Sequence, residues 1–256
     1  MKKMFIPFEN LKYQKRILMF WLFLIILTWS SQSFLDHKNF PEIQNVIIGF
    51  KKLYMSGLIV HLFSSIFLCI KSILIAVLIS LLFAYSFFIP FFKPLSIIFT
   101  KLRYLPLTGI NFYATMLLSS GRSIQVFILV TFISTYLLTS LVSLFQSIID
   151  EGEEIDHAKT LGCTRWEILY EVIIKGKIDH VIEIVRQNLS IAWMMLVTVE
   201  STLASAGGLG FLIRNSDKMF DHSGLVALQL IILFIGITSD YILVYFRKAM
   251  FRYSDY

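Results

Sequence analysis

Only 16% of the 256 residues are Asp, Glu, Lys or Arg, so any charge inside an apolar run is conspicuous. Lys71, Lys101, Arg103, Arg186 and Glu200 lie in or beside such runs. A Lys or Arg held mid-bilayer costs about 2.5–3.5 kcal/mol on insertion scales, so these groups must turn toward protein or water. Together they could line a polar path for a small anionic solute. The alternative is snorkelling to the interface or pairing between subunits, and Lys71, Lys101 and Arg186 fit that alternative better. Arg103, beside the helix-breaking Pro106, and Glu200, deep in an apolar stretch, are the candidates for lining a pathway. No nucleophile, base and acid share a workable spacing, so no catalytic site is expected. His37, His61, His157, His180 and His222 are too scattered to argue a metal site. Gly207-Gly208-Leu209-Gly210 resembles a dinucleotide fingerprint only superficially, because no strand precedes it. It is expected to let the backbone turn tightly, followed by a polar external loop through Ser223.

The second chemically suggestive region is the polar insertion Gln146 to Asp179, between two apolar runs. Asp150, Glu151, Glu153, Glu154 and Asp156 precede Ala158-Lys159-Thr160-Leu161-Gly162. Acidic residues favour a helix start through the macrodipole, and Gly162 can stop that helix in a left-handed C-cap. Thr164 with Glu167 then predicts a capping box opening a second helix near Arg165 and Trp166. The result is two short helices joined by a tight turn. The bland alternative is a solvated loop. Against it stand Ala158, Leu161, Trp166, Ile168 and Leu169, an apolar set that water alone does not require. Such exposed apolar faces mark interfaces, which points to docking of a partner in a groove.

These elements belong to a membrane protein. Composition is 57% hydrophobic, above the roughly 45–50% of soluble domains, and the apolar runs approach the ~20 residues that cross a bilayer. About six spans fit: Ile17–Trp29, Ser72–Phe88, Leu95–Leu118, Ile124–Phe145, Val181–Thr202 and Gly224–Phe246. Ile17–Trp29 reads as a retained span, not a cleaved signal. Ser30–Ser56 is expected to be an external loop broken by Pro41, and Gly57 to Lys71 an interfacial helix preceding the second span. The net charge of +6 concentrates in Lys2, Lys3, Lys12, Lys15 and Arg16 at the start and Arg247, Lys248 and Arg252 at the end. That distribution is a topological signal that places both termini in the cytoplasm, and it does not suggest nucleic acid. Cys69 and Cys163 give no disulfide framework. No Walker-type loop occurs, so ATP-derived energy must come from another chain, and no cofactor is expected in this one.

Asp156-His157-Ala158, then three residues and Gly162, resembles the EAA loop of ABC-importer permeases, whose pattern is Glu-Ala-Ala, three residues, Gly and a later Ile-x-Leu-Pro. Arg165-Trp166-Glu167-Ile168-Leu169, Leu102-Arg103-Tyr104-Leu105-Pro106, Leu189-Ser190-Ile191-Ala192-Trp193, Glu200 and Gly207 to Ile213 are similar to permeases of the nitrate, sulfonate and taurine type. Asp156 and His157 depart from the family's Glu and first Ala, and Lys175 stands where its later proline is expected. The resemblance implies an all-α membrane protein in the MetI-like (type I ABC importer) permease fold with a cytoplasmic coupling helix. Residues 57–246 would form the transmembrane domain, with the EAA-like loop at about 150–178. Residues 1–56 would hold a cytoplasmic segment, the first span and an external loop, and 247–256 a basic tail. It further implies ATPase coupling through Asp156, Ala158, Leu161, Gly162 and Trp166, and a translocation pathway including Arg103, Trp193 and Glu200. The implied partners are cytoplasmic ATP-binding subunits, a second permease copy (identical or paralogous) and an external solute-binding protein. A membrane assembly factor docking a soluble protein, or a secondary transporter, is the alternative. The first would want a cluster of ionisable residues at one membrane surface and the second inverted repeats; neither is found.

Overall fold

The computed structural model describes residues 41–251 apart from 204 and 205, together with 19–21, 23, 24 and 27. The expected first span, Ile17–Trp29, and the basic residues Lys2 to Arg16 and Arg252 therefore lie wholly or largely outside the described residues. Those described from residue 41 onward are helical, with no strand among them. The helices are α1 (Ile43–Met55), α2 (Leu58–Ser86), α3 (Lys93–Lys101), α4 (Leu107–Leu117), α5 (Gly121–Glu151), α6 (Glu153–Thr160), α7 (Arg165–Glu167), α8 (Ile178–Thr202), α9 (Leu209–Lys218) and α10 (His222–Met250). A 3₁₀ turn, Leu102–Tyr104, follows α3, and a π-helical stretch, Ile168–Lys175, follows α7.

Among the described residues α2, α5, α8 and α10 are long and apolar enough to cross a membrane. At 1.5 Å per residue, the 29 residues of α2 reach about 43 Å, more than the ~30 Å of a hydrocarbon core. The expected interfacial helix before the second span does not exist separately. Nothing between Leu58 and Ser86 breaks the helix, and two of its polar residues, Ser65 and Ser72, are buried against protein. With Cys69, Ala76, Ser80 and Ala84 they form a stripe of small residues that lets neighbouring helices approach closely. The opposite face exposes Phe63, Phe67, Ile70, Leu74, Leu78 and Leu82, side chains suited to lipid.

The expected third span, Leu95–Leu118, is two short helices. Phe99 of α3 stacks on Phe83 near the end of α2, with ring centroids 4.3 Å apart, and the Ser96 hydroxyl donates to the Phe83 carbonyl at 2.8 Å. Ile110 and Ala114 of α4 pack instead with Ile124 and Ile128 of α5. The chain thus returns along the bundle in two pieces, broken where Leu105 is extended and Pro106 begins α4. A residue before proline is driven from the helical region, which accounts for the break.

α5 is the central post. Half of its most apolar window (50%) is buried within the protein, against 11% for α10, which lies at the periphery. Leu129, Phe132, Ile133 and Leu137 of α5 meet Leu68 and Ala76 of α2 and Trp193 and Leu196 of α8 in one core. A second core, around Phe145, Phe87, Leu141 and Ile173, sits at the end carrying α6 and α7. α8 and α10 are joined there by charge: Arg186 bonds Glu183 and Asp240 at 2.6 Å each, and Arg247 bonds Glu183 at 2.6 Å. Arg186 therefore finds partners inside its own chain.

Two stretches expected to be loops at the opposite end are helical. After Pro41, Val46, Gly49 and Leu53 recur at helical spacing and bury α1 in a third core with Leu212 of α9 and Ala227 and Leu228 of α10. The polar stretch after Gly210 forms α9, whose Leu209 and Leu212 are also buried. Asp221 caps α10 through the Gly224 N–H and pairs with Lys52 of α1 at 3.3 Å. These bonds hold its carboxyl below the usual carboxylate range.

Gly49 is where α1 comes closest to α10: a methyl there would sit 2.9 Å from the Ser223 carbonyl oxygen. Both contact atoms are backbone, so neither can move aside. Gly49→Val is expected to destabilise the chain by about 1–3 kcal/mol, the usual cost of overpacking. Thermal unfolding in detergent checks this, and an unchanged unfolding temperature contradicts the packing.

Candidate functional site

The polar insertion folds as its sequence suggested. α5 ends at Gly152 (φ 67°), and α6 begins with Glu153, Glu154 and Asp156 in its first turn. Gly162 takes φ 82° and ends α6, with the Cys163 N–H on the Ala158 carbonyl at 3.2 Å and the Gly162 N–H on the Lys159 carbonyl at 3.0 Å. That pair of bonds is a Schellman closure. A side chain at Gly162 would meet nothing within 4 Å, so the glycine is required by backbone conformation and not by space in this chain.

Thr164 then caps α7 reciprocally. The Glu167 N–H donates to the Thr164 hydroxyl at 3.4 Å, while the Thr164 N–H and hydroxyl donate to Glu167 Oε2 at 2.7 and 2.8 Å. The Thr164 N–H, then its hydroxyl, hold the Glu167 carboxyl below the usual carboxylate range. The cap is therefore complete at neutral pH and is lost only as acidification protonates Glu167 through that lowered value.

The element is anchored from below. Ala158, Ile168 and Ile173 are buried, and Ile155 and Leu169 pack on the second core with Phe145 and Val181. Lys177 pairs with Glu154 at 2.6 Å, tying the far side of the π-helical stretch to α6. Of the five apolar residues noted in the sequence, three thus face inward. Leu161 and Trp166 face out, 72% and 71% exposed, and are joined by Tyr170 at 54%. Asp156 lies exposed on the same element and pairs with Lys159 at 2.7 Å. Tyr170 was not singled out from sequence. Its position in the widened π-helical turn, which alters the face it presents, left no periodic signal.

Arg103, Trp193 and Glu200 are not brought together: no hydrogen bond or ion pair joins them among the described residues. Arg103 sits in the 3₁₀ turn, where its guanidinium donates to the Tyr104 hydroxyl at 3.0 Å and lies 5.0 Å from that ring's centroid. Trp193 is buried in the main core with its indole N–H unpartnered. Glu200 is fully buried near the end of α8 and organises the opposite end of the molecule.

There the glycine-rich turn is built on one carboxylate. The Ser65 hydroxyl lies 2.7 and 2.8 Å from the two Glu200 oxygens, and the Gly210 N–H donates to Glu200 Oε2 at 3.0 Å. The Leu209 N–H donates to Ser65 Oγ at 2.8 Å and the Gly208 N–H to His61 Nδ1 at 3.1 Å. Three of the N–H groups that open α9 are thus met, with the acidic group at the positive end of its dipole. Gly208 has φ 116°, and a methyl on it would fall on the Glu200 carboxylate. One on Gly210 would strike the backbone of Val197 and Ser201. Arg214 of α9 reaches back to the Ser201 and Thr202 carbonyls at 3.0 and 3.1 Å, closing the end of α8. His61 and Ser65 were not selected from sequence as partners of Glu200; they lie more than a hundred positions away, and only the fold connects them.

Glu200→Ala strips acceptors from two buried donors and is expected to cost about 1–3 kcal/mol. Glu200→Gln keeps one acceptor oxygen and should cost less, and Gly208→Ala, which combines strain with a clash, at least as much as Glu200→Ala. Unfolding temperatures of the three variants check the order. Equal stability of all three with the parent chain would contradict it.

Comparison with known proteins gives two findings. The sequence model of the family described as "Binding-protein-dependent transport system inner membrane component" matches residues 46–252. A protein of Methanocaldococcus jannaschii named as an ABC transporter permease is 32% identical over 97 residues, 38% of this chain and 36% of that protein. The aligned segment spans about a third of that relative's length.

Proposed function

This chain belongs to the family of binding-protein-dependent transport system inner membrane components, and from that premise we propose that α6, Gly162 and α7 are the handle by which separate ATP-binding subunits drive it. One observation carries the proposal: a doubly capped pair of short helices, anchored in the core beneath, turns Leu161 and Trp166 outward. A soluble loop gains nothing from exposing a tryptophan, whereas buried aromatic anchors dominate protein interfaces. Asp156, Ala158 and Gly162 support the handle by starting, seating and ending its first helix.

The handle faces the cytoplasm in this reading, and the other end, with α1, α9 and the Glu200 turn, faces outward to a solute-binding protein. Motion imposed on α6 and α7 passes through Leu169 and Ile173 to α5 and α8, because an element so tightly bonded moves as a body. A second permease copy completes the translocation path for a small anionic solute. Within that path Arg103 is a half-buried cation, Trp193 packs the wall from behind, and Glu200 acts through the turn it holds.

Trp166→Ala and Leu161→Ala in the full chain should each weaken co-purification of the ATP-binding subunit by about tenfold or more, as anchor residues do. Unfolding of the isolated chain should hardly change, since both side chains are exposed. Undiminished association of the double variant would refute the handle.

A further inference from the structure

A groove of about 510 Å³ runs between α2, α3 and α5. Its walls carry Lys71 and Arg122 with Ser123, Thr131, Ser134 and Thr135, and the remaining lining is aliphatic or phenylalanine. No carboxylate lines it. Lys71 is the fourteenth of the 29 residues of α2. At 1.5 Å per residue it lies about 20 Å from either end of the helix, in its middle third. Among the described residues Lys71 forms no ion pair. Arg122 is held by neutral oxygens, the Gln125 side chain at 3.0 Å and the Ser64 carbonyl at 3.0 Å together with the Ser64 hydroxyl. The Glu200 carboxylate acts on Arg122 through space without contacting it. Lys71 therefore carries a mid-span positive charge without a carboxylate in contact.

An uncompensated cation at that depth needs a polar occupant or water beside it. Resting on the permease reading above, we infer that this groove is a binding site for a small organic anion, its acidic group on Lys71 with Arg122 adding field, its apolar body against the walls formed by Ile75, Val126 and Val130. The volume lies in the range of small-molecule sites and exceeds what a bare inorganic anion would fill. Thr131, Ser134 and Thr135 now donate to carbonyls of their own helix, and their hydroxyls can rotate to the ligand. An anionic lipid headgroup offers the same acidic chemistry but sits at the membrane surface, outside the hydrocarbon core of about 30 Å that α2 crosses.

The test uses the full chain in nanodiscs and three probes sharing one ring: benzenesulfonate, benzyl alcohol and benzylammonium. In phosphatidylcholine, calorimetric titration should show benzenesulfonate binding at least about tenfold more tightly than the other two. Lys71→Met should lose about tenfold or more of that affinity and Lys71→Arg should keep most of it, as expected for a charge-assisted bond. Thermal unfolding of each variant confirms that the chain is folded. Equal affinity for the three probes, no benzenesulfonate binding, or undiminished binding by folded Lys71→Met would overturn the inference. So would binding that appears only when phosphatidylglycerol is added and ignores benzenesulfonate. Co-purification of Lys71→Met with the ATP-binding subunit should be unchanged, so a failed anion site and a failed handle give different results.

Discussion

A buried interior offers no water for hydrogen bonds, so a helix end buried within this chain must be closed by partners from the protein itself. That constraint explains most of what is unusual here. Where α8 gives way to α9, three successive N–H groups are taken by His61, Ser65 and Glu200. Each acceptor comes from a different position, and the arrangement holds α2, α8 and α9 in one register. The glycines follow from it. Gly208 is bare because the carboxylate occupies the space a side chain would need.

At the other end the same problem is solved locally. Gly162 and Thr164 end one helix and start the next within four residues, using only bonds inside the loop. The element remains stiff because its inner face is nailed to the core through Leu169 and Ile173. Stiffness is what a mechanical link requires. Under the proposed coupling, a load applied to Trp166 and Leu161 would be borne by α5 and α8, the two helices with which the element shares its core. The ionic bridge from Glu183 and Arg186 to Asp240 and Arg247 ties α8 in turn to α10.

What could be read from sequence followed the range of each interaction. The capping box of Thr164 and Glu167 and the stop at Gly162 involve neighbours, and their residue types specify them. The similarity to ABC-importer permeases rested largely on those positions and holds at the level of the family. The inward turn of Ala158, Ile168 and Leu169 was not legible, because facing depends on the core below. α1 was missed since Pro41 and the polar residues around it obscured the spacing of Val46, Gly49 and Leu53, whose burial depends on α9 and α10. The role of Glu200 was the hardest to read. A mid-span carboxylate is ambiguous until Ser65, 135 positions away, is seen beside it.

The chain carries its own probe of the central claim. Cys163 is exposed in the turn between the two short helices, and the second cysteine, Cys69, is buried. Labelling with a membrane-impermeant maleimide should fail in intact cells, succeed in inverted membrane vesicles, and be suppressed there when the ATP-binding subunits are bound. Rapid labelling of Cys163 in intact cells would put the turn on the outer face, beyond the reach of any cytoplasmic ATPase, and would contradict the account.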